Sequence, residues 1–545
     1  MMKSPHDALS NQVLTQEELE FVRDFGDSCS FTEGEVLFEA GERGADFFFV
    51  VEGEIEIVEP WTEPPLTLTT HGAGEFAGDI NIMMGRPTVA KAIALGAVEV
   101  IRVAVPGFRE LIIRNTDIGD KLVGAFYRRR ELTEEGEFQG VKVIGPTDDA
   151  ATTELQEFFY RNGVGHTWID SESDEGRKVC EELGQGGDCF PLVACASGGV
   201  HVKPSITDVA EDAGIQREIA DELYDVLIIG SGPSGLGAAV YAASEGLRTI
   251  LLDKTGPGGQ AGSSSKIENY AGFPTGLSGR ELALRAQLQA IKFGAEITAP
   301  CSAQDIRRDE DGIYHVRTCL NQDVRTKTVI LSTGVEYRHL EVDGIQHFRS
   351  RGVYYSATRI EAALCQKRAV HIVGGGNSAG QAAMYLSKFA SEVHLVIRGD
   401  DLSKSMSSYL SERVLTNQTI RIRKQSEIIA VHGEHELAEV TIRDRTQGTE
   451  VREESCGVFI FIGSTPHTEF LEGTIELDEK GFVKTGPQLE GWEEEQRGPG
   501  ALETNFPGVF ACGDVRSGTT KRVAFAIGDG ALAVTCVHDF LGTYG

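Results

Sequence analysis

The stretch YDVLIIGSGPSGLGAAVYAASEGLRTILLDK runs from Tyr224 to Lys254. It opens with an apolar run that suits a buried parallel strand, passes through glycines, continues as a helical segment, and ends in a second apolar strand closed by Asp253. The glycines fall as G-x-G-x-x-G over Gly230, Ser231, Gly232, Pro233, Ser234 and Gly235. Gly230 makes the tight turn, Gly232 lets backbone approach a pyrophosphate, and Gly235 lets helix and strand pack closely. The helix N-terminus then faces the phosphates, and Asp253 can accept from a ribose hydroxyl. Glycines alone would say little, but a complete strand–turn–helix–strand unit reads as a dinucleotide site.

The unit occurs twice. At 370–398 a strand AVHIVGGG leads into G-x-G-x-x-A, a helix GQAAMYLSKFA and a strand EVHLVIR. Gly374, Gly376, Asn377, Ser378 and Ala379 form its candidate phosphate loop. This copy ends in Arg398 rather than a carboxylate, and a guanidinium favours the 2′-phosphate of NADP. Asp400 and Asp401 follow closely and oppose that preference, so NADPH is expected and NADH stays open.

The 545 residues correspond to roughly three or four domains. Lysine and arginine total 51 against 83 aspartates and glutamates, a formal net charge of -32. That balance repels polyanions and disfavours nucleic acid or an anionic membrane as the main partner. No stretch approaches the ~18 or more apolar residues of a membrane span, and MMKSPHDALS lacks the charged and apolar regions of a signal peptide. The ten cysteines contain no C-x-x-C pair. A cytoplasmic protein with free thiols is expected, and no metal ligand set is read from the sequence.

Two modules precede the dinucleotide units. Residues 31–104 read as short strands separated by turn glycines, with helices near 14–25 and 107–130, an all-β roll. LFEAGERGADFFFVVEGEIEIV and GEFAGDINIMMGRPTVAKA resemble the cyclic-nucleotide-binding domain of the catabolite-activator and kinase-regulatory type. In that resemblance Asp79 stands at the ribose-binding glutamate and Thr88 at the phosphate-binding arginine, with Arg86 two places early. Cyclic-nucleotide binding is therefore doubtful, and the 78–81 turn is left as the clear phosphate donor. Residues 141–215 alternate strand and helix in an order that resembles a glutaredoxin- or thioredoxin-like fold, with Phe190-Pro191 at its cis-proline turn. The redox cysteines of that fold are replaced by PTDDAATT. Cys180, Cys189 and Cys195 are expected to be buried hydrophobes.

The segment 224–545 resembles the low-molecular-weight thioredoxin reductase family. GGQ (258–260), IENYAGFP (267–274), STG (332–334), GVFIFIG (457–463) and PGVFACGDV (507–515) stand in that family's order. The resemblance implies FAD at the first unit, with Gly259, Gln260, Asn269, Gly513 and Asp514 around it. Arg522, Val523 and Ala524 would open a helix near the pyrimidine edge of the flavin. It also exposes a departure, since the family's C-A-T-C disulfide is replaced by Ser356, Ala357, Thr358 and Arg359. Serine and arginine cannot take part in thiol–disulfide exchange. A lone Cys365 cannot form an intramolecular disulfide and is expected in the core.

The expected architecture is multidomain: a cyclic-nucleotide-binding-like roll (1–139), a degenerate thioredoxin-like α/β module (140–218), a discontinuous Rossmann-type FAD domain (219–340 and 456–545) and a Rossmann-type NAD(P)H domain (341–455). The expected activity passes electrons from NAD(P)H through FAD to an acceptor other than thioredoxin, either a small molecule or a one-electron carrier protein, under possible control by the N-terminal domain. The alternative is a signalling or redox-sensing flavoprotein with little turnover. The family resemblance also implies a homodimer.

Overall fold

The computed structural model describes residues 13–59, 65–135, 141–147, 149–183, 189–195, 198–262, 264, 267, 270–338, 340–342, 344–345, 347–348, 351–355, 357, 361–362, 365–490, 492 and 497–544. The chain divides into two compact units. The first is Met1–Glu222 with Ala243–Gly256 and Gln287–Ser302, and the second is Leu223–Ala242 with Pro257–Ala286 and Ala303–Gly545.

The first unit begins with helix α1 (Gln16–Val22), held by a capping box in which Thr15 and Glu18 satisfy each other's backbone donors. Eight strands follow: β1 (Asp27–Phe31), β2 (Val36–Phe38), β3 (Phe47–Glu52), β4 (Ile55–Glu59), β5 (Leu66–His71), β6 (Phe76–Ala77), β7 (Lys91–Ala94) and β8 (Val98–Val103). They form two four-stranded antiparallel sheets, β1-β8-β3-β6 and β2-β7-β4-β5, the expected roll. Short helix α2 (Ile80–Met83) interrupts it, and helices α3 (Val105–Arg114) and α4 (Thr116–Glu135) follow. Phe47 stacks on Phe108 with ring centroids 3.9 Å apart, and Phe126 of α4 joins them.

The next module has β9 (Val141–Gly145), α5 (Ala150–Asn162), β10 (His166–Asp170), α6 (Asp174–Glu182), β11 (Leu192–Ala194), β12 (Val200–Val202) and α7 (Ile206–Asp212). The sheet order is β10-β9-β11-β12, with β9 and β10 parallel and the last two strands antiparallel. The Phe190-Pro191 peptide is cis, as the thioredoxin-like reading expects. Cys180, Cys189 and Cys195 are buried, as expected.

The second unit holds β13 (Leu223–Ile229), which runs into helix α8 (Pro233–Ser244). β14 (Thr249–Leu252), in the first unit, pairs in parallel with β15 (Glu296–Thr298), which lies beyond α9 (Gly259–Gly262) and α10 (Gly279–Lys292) in the chain. The sequence assigns 243–256 and 287–302 to one FAD domain, yet by packing they group with the N-terminal modules. Local hydrogen bonds explain it: Asn162 Nδ2 donates to Thr255 O at 2.8 Å, and Arg217 N donates to Thr298 Oγ1 at 3.1 Å.

In the second unit β13 pairs with β18 (Asp323–Leu331), which also carries the antiparallel strands β17 (Tyr314–Thr318) and, beyond it, β16 (Ala303–Arg308). A short pair joins β19 (Val335–Tyr337) to β28 (Ser464–Pro466). The second dinucleotide region is a parallel sheet in the order β20 (Val353–Tyr354), β27 (Gly457–Ile460), β21 (Ala369–Val373), β22 (Glu392–Val396) and β23 (Ile420–Arg423). One apolar cluster joins this sheet to helices α11 (Asn377–Leu386) and α12 (Ser408–Thr416). Another joins it to the antiparallel layer β24 (Ser426–Gly433), β25 (Leu437–Asp444) and β26 (Glu450–Glu454). The chain closes with β29 (Val509–Ala511), parallel to β18, and helix α13 (Val523–Tyr544).

One expectation is corrected by α13. Residues Val523–Thr543 are long and apolar enough, at mean hydropathy 1.4, to meet the length-and-composition test for a span. Asp529 and Asp539 interrupt the run when it is read residue by residue, whereas the average over the helix is dominated by alanine, valine and leucine. Within the second unit this helix is fixed by close approach to α8: a Cβ at Gly530 would lie 2.2 Å from Ser234 O.

Candidate functional site

The first glycine turn follows the carboxyl end of β13, where ligands of open α/β sheets bind. Gly230 has φ +103°, and a Cβ there would lie 2.4 Å from Ser332 O. At Gly235 a Cβ would lie 1.8 Å from Gly230 O, so only glycine closes the strand onto the helix. Gly232 differs in kind. The nearest atom to a Cβ there is Gly259 Cα at 4.0 Å, so chain packing leaves that face of the turn open. Gly258 N donates to Ser231 O at 2.8 Å and holds the two glycine segments face to face. Pro233 opens α8, where its missing N–H costs nothing. A cradle lined by backbone and free of side chains, at a helix N-terminus, fits a pyrophosphate.

Further expected residues of this site lie in the same unit. A Cβ at Gly513 (φ +73°) would lie 2.4 Å from Ser234 Oγ, so a bare backbone follows β29 there. Asp514 accepts no hydrogen bond from any described residue, and burial raises its carboxyl above the ordinary range while Lys521 opposes the shift. A half-buried carboxylate left to an external donor suits a polyhydroxyl chain. Gln260 is exposed, and its Nε2 donates to Val335 O at 3.2 Å. Arg522 immediately precedes α13, and Val523 and Ala524 open it, all exposed or half-buried. Asp253, in the first unit, follows β14, and its Oδ1 accepts from the N–H groups of Thr255 at 2.8 Å and Gly256 at 2.7 Å. Asn269 lies outside the described residues.

The second turn repeats the pattern after β21. Gly374 has φ +140°, and a Cβ there would lie 2.2 Å from Phe461 O. Gly376 caps α11, and a Cβ there would meet only Ser405 O, at 3.8 Å. Asn377 and Ser378 are exposed at the helix start, whereas Ala379 is buried against the sheet. The loop after β22 is tied to this mouth: Ser405 Oγ donates to Gly375 O at 2.8 Å, and Ser407 N donates to Asn377 Oδ1 at 2.8 Å. Arg398 is exposed and forms no ion pair with any described residue. Asp400 is paired with Lys404 at 3.2 Å, and Asp401 accepts from the Ser403 hydroxyl. The two carboxylates expected to oppose Arg398 are thus engaged elsewhere, with Lys404 and Ser403 holding them below the usual carboxylate range.

Ser356 and Arg359 lie outside the described residues. Cys365 is buried in the core, as expected, but it is not alone. It hydrogen-bonds with Cys456, and that bond together with burial pushes its thiol well above the ordinary range. The spacing of these two cysteines, 91 apart in the chain, carries no signal of this contact.

In the N-terminal domain, Asp79 does not face outward as a ribose acceptor. It caps α2, accepting from Asn81 N at 2.9 Å and Ile82 N at 3.4 Å. The 78–81 turn, expected to donate to phosphate, therefore has part of its donor set occupied. Thr88 is buried, with its hydroxyl donating to Glu39 O and accepting from Glu42 N. The sequence reading missed Arg129, which lies in an arginine-rich stretch that resembles a linker. Its guanidinium donates to Phe76 O at 2.8 Å and to Gly78 O, and sits 4.1 Å from the Phe76 ring centroid. Burial lowers its pKa to about 10, opposed by Asp79 and Glu75.

Comparison with known proteins agrees with this geometry. Residues 224–530 match the pyridine nucleotide-disulphide oxidoreductase family, which is more than half of the chain, and the chain belongs to that family. Residues 28–115 match the cyclic nucleotide-binding domain. Among similar proteins, the thioredoxin reductase of Treponema pallidum is 34% identical over 321 residues, covering 59% of this chain and 98% of that protein. The thioredoxin reductase of Bacillus subtilis is 32% identical over 323 residues, covering 59% and 96%. The crystal structure of Lactococcus lactis thioredoxin reductase superposes with a TM-score of 0.52 at 30% identity, covering 59% of this chain and 99% of that one.

The two glycines of the second turn separate a folding role from a binding role. Gly376→Val should leave the thermal midpoint near wild type yet weaken nicotinamide-nucleotide binding at least tenfold, because its side chain enters the open face. Gly374→Val should lower the thermal midpoint itself, since it meets Phe461 O. Calorimetry and thermal unfolding of both variants check this.

Proposed function

We propose that this thioredoxin-reductase-like flavoprotein oxidises NADPH and delivers electrons to an acceptor other than thioredoxin. The observation that carries the reading is the loss of both family redox cysteines, replaced by Ser356 and Arg359, with the nearest downstream thiol, Cys365, buried in the core. FAD held there would supply hydride acceptance and one- or two-electron transfer chemistry.

The chain's own residues bind and orient. The 230–235 turn and the α8 N-terminus would hold a pyrophosphate, and Gln260, Gly259, Gly513 and Asp514 would line the flavin side; the sequence pattern assigns a ribose hydroxyl to Asp253. The first turn of α13 would offer backbone donors to negative charge on a reduced flavin bound there. Arg398 receives the 2′-phosphate. Cys365 lies buried against Cys456, their shared hydrogen bond raising the Cys365 thiol and lowering that of Cys456. In the family the nucleotide domain presents disulfide and nicotinamide to the flavin in turn. Here that exchange has one productive partner, and electrons leave directly to a small molecule or a one-electron carrier.

NADPH-dependent turnover with ferricyanide or a quinone is expected, with none on thioredoxin. Thioredoxin reduction that persists in a Cys365→Ser variant would overturn the reading.

Arg398→Ala should cost about tenfold in kcat/KM for NADPH and little for NADH, the low end of a charge-assisted pair worth about 1.5–3 kcal/mol. Steady-state kinetics with both nucleotides measures it.

The N-terminal domain is proposed to act on the reductase without a cyclic nucleotide. Arg129 and Asp79 already use the carbonyl and N–H groups of the cassette. Calorimetry with cyclic AMP and cyclic GMP should detect no micromolar binding.

A further inference from the structure

The thioredoxin-like module carries a cluster that the nucleotide chemistry does not use. Cys195 follows β11, His201 lies on β12 in register with Val193, and Asp212 ends α7. Their ligand atoms, Cys195 Sγ, His201 Nε2 and an Asp212 carboxylate oxygen, all lie within 4.8 Å of one another. His201 Nε2 lies 2.9 Å from Asp212 Oδ2. The hairpin is locked by Cys195 N donating to Gly199 O at 2.9 Å.

Gly199 gives a second, independent observation. A Cβ there would lie 2.1 Å from Asp212 Oδ2 and 3.4 Å from His201 Nε2. Any other residue would push the carboxylate away from the imidazole, so the bare backbone of the hairpin is what admits Asp212. Three donors from three different segments converge on one point, and that point is neither sealed nor fully open. The His201 and Asp212 side chains are 26% and 23% exposed, whereas Cys195 is buried.

We propose that Cys195, His201 and Asp212 form a zinc site, with water at the fourth position. One thiolate, one imidazole and one carboxylate are a borderline-soft donor set that suits Zn²⁺. Their two negative charges match its double positive charge. Tetrahedral zinc with bonds of about 2.0–2.3 Å sets its ligands roughly 3.3–3.8 Å apart, so the 2.9 Å His201–Asp212 contact would open slightly to admit the ion while all three atoms already lie within 4.8 Å. Without metal, burial and the neighbouring Asp212 raise the Cys195 thiol to about 12. On binding, the thiol proton leaves to solvent as the sulfur–zinc bond forms. The metal would staple the β11–β12 hairpin to α7.

The chain contains a contrasting cluster. His371, His394 and Glu453 also lie within 4.8 Å of one another. There Arg423 donates to Glu453 and to His394 Nδ1, so a fixed cation already occupies the place of a metal.

The test uses the full-length protein, dialysed against chelator and titrated with Zn²⁺ and with Co²⁺. About one metal per chain and a thiolate-to-cobalt charge-transfer band are expected. Both should be lost in Cys195→Ser, weakened at least 100-fold in His201→Ala, and kept in Cys180→Ser. NADPH–ferricyanide turnover should be unchanged in all three. X-ray absorption at the zinc edge of wild type should show one sulfur among nitrogen and oxygen neighbours, which decides the matter even if Cys195→Ser does not fold. Absence of a cobalt–thiolate band in wild type, a band that survives Cys195→Ser, or a zinc shell without sulfur would overturn the proposal.

Discussion

Backbone must touch backbone at both nucleotide turns, and much of the second unit follows from that requirement. Gly230, Gly235 and Gly374 stand where a single Cβ would lie 1.8–2.4 Å from a carbonyl oxygen. Such a contact cannot be relieved by rotating a side chain, because the atom met is a backbone carbonyl just beyond the end of a strand. The strand therefore enters its helix at one fixed angle, and that angle aims the helix N-terminus at the mouth of the turn. Gly232 and Gly376 stand on the faces left open, where packing imposes nothing. Glycine has thus been used for two separate reasons within one motif, three residues or fewer apart.

Around the second turn, electrostatics is arranged by local pairing. Lys404 and Ser403 take up Asp400 and Asp401, and Arg398, just beyond β22, has no carboxylate partner among the described residues. Screening at the surface makes each such pair weak, but the consequence is a matter of sign: a phosphate approaching Arg398 meets carboxylates whose charge is already engaged.

The N-terminal roll shows the opposite economy. A cassette of the kind that grips a phosphate retains its turn and short helix, yet Asp79, Thr88 and Arg129 bond within the domain. Asp79 caps α2, Thr88 bonds to the 39–42 turn, and Arg129 reaches from α4 to the carbonyls of Phe76 and Gly78. Buried polar groups demand partners, and a domain whose ligand-facing residues have changed can meet that demand with its own side chains. The fold then persists as a module that pairs its helices with its roll.

What the sequence by itself determined was everything that depends on neighbours close along the chain. Strand–glycine–helix spacing marked both dinucleotide turns, alternation marked the roll, and the replacement of two cysteines by Ser356 and Arg359 could be read without coordinates. Tertiary structure alone decided the contacts between distant segments. Cys365 meets Cys456, Arg129 meets the 76–78 carbonyls, and Cys195, His201 and Asp212 converge across a hairpin and a helix. Segments 243–256 and 287–302 pack with the N-terminal modules although their motif belongs to the first nucleotide unit. Local pattern fixes φ, ψ and periodicity, because those arise from residues within a turn or two. Pairing of side chains far apart in the chain depends on how complete elements pack, and no spacing rule encodes it.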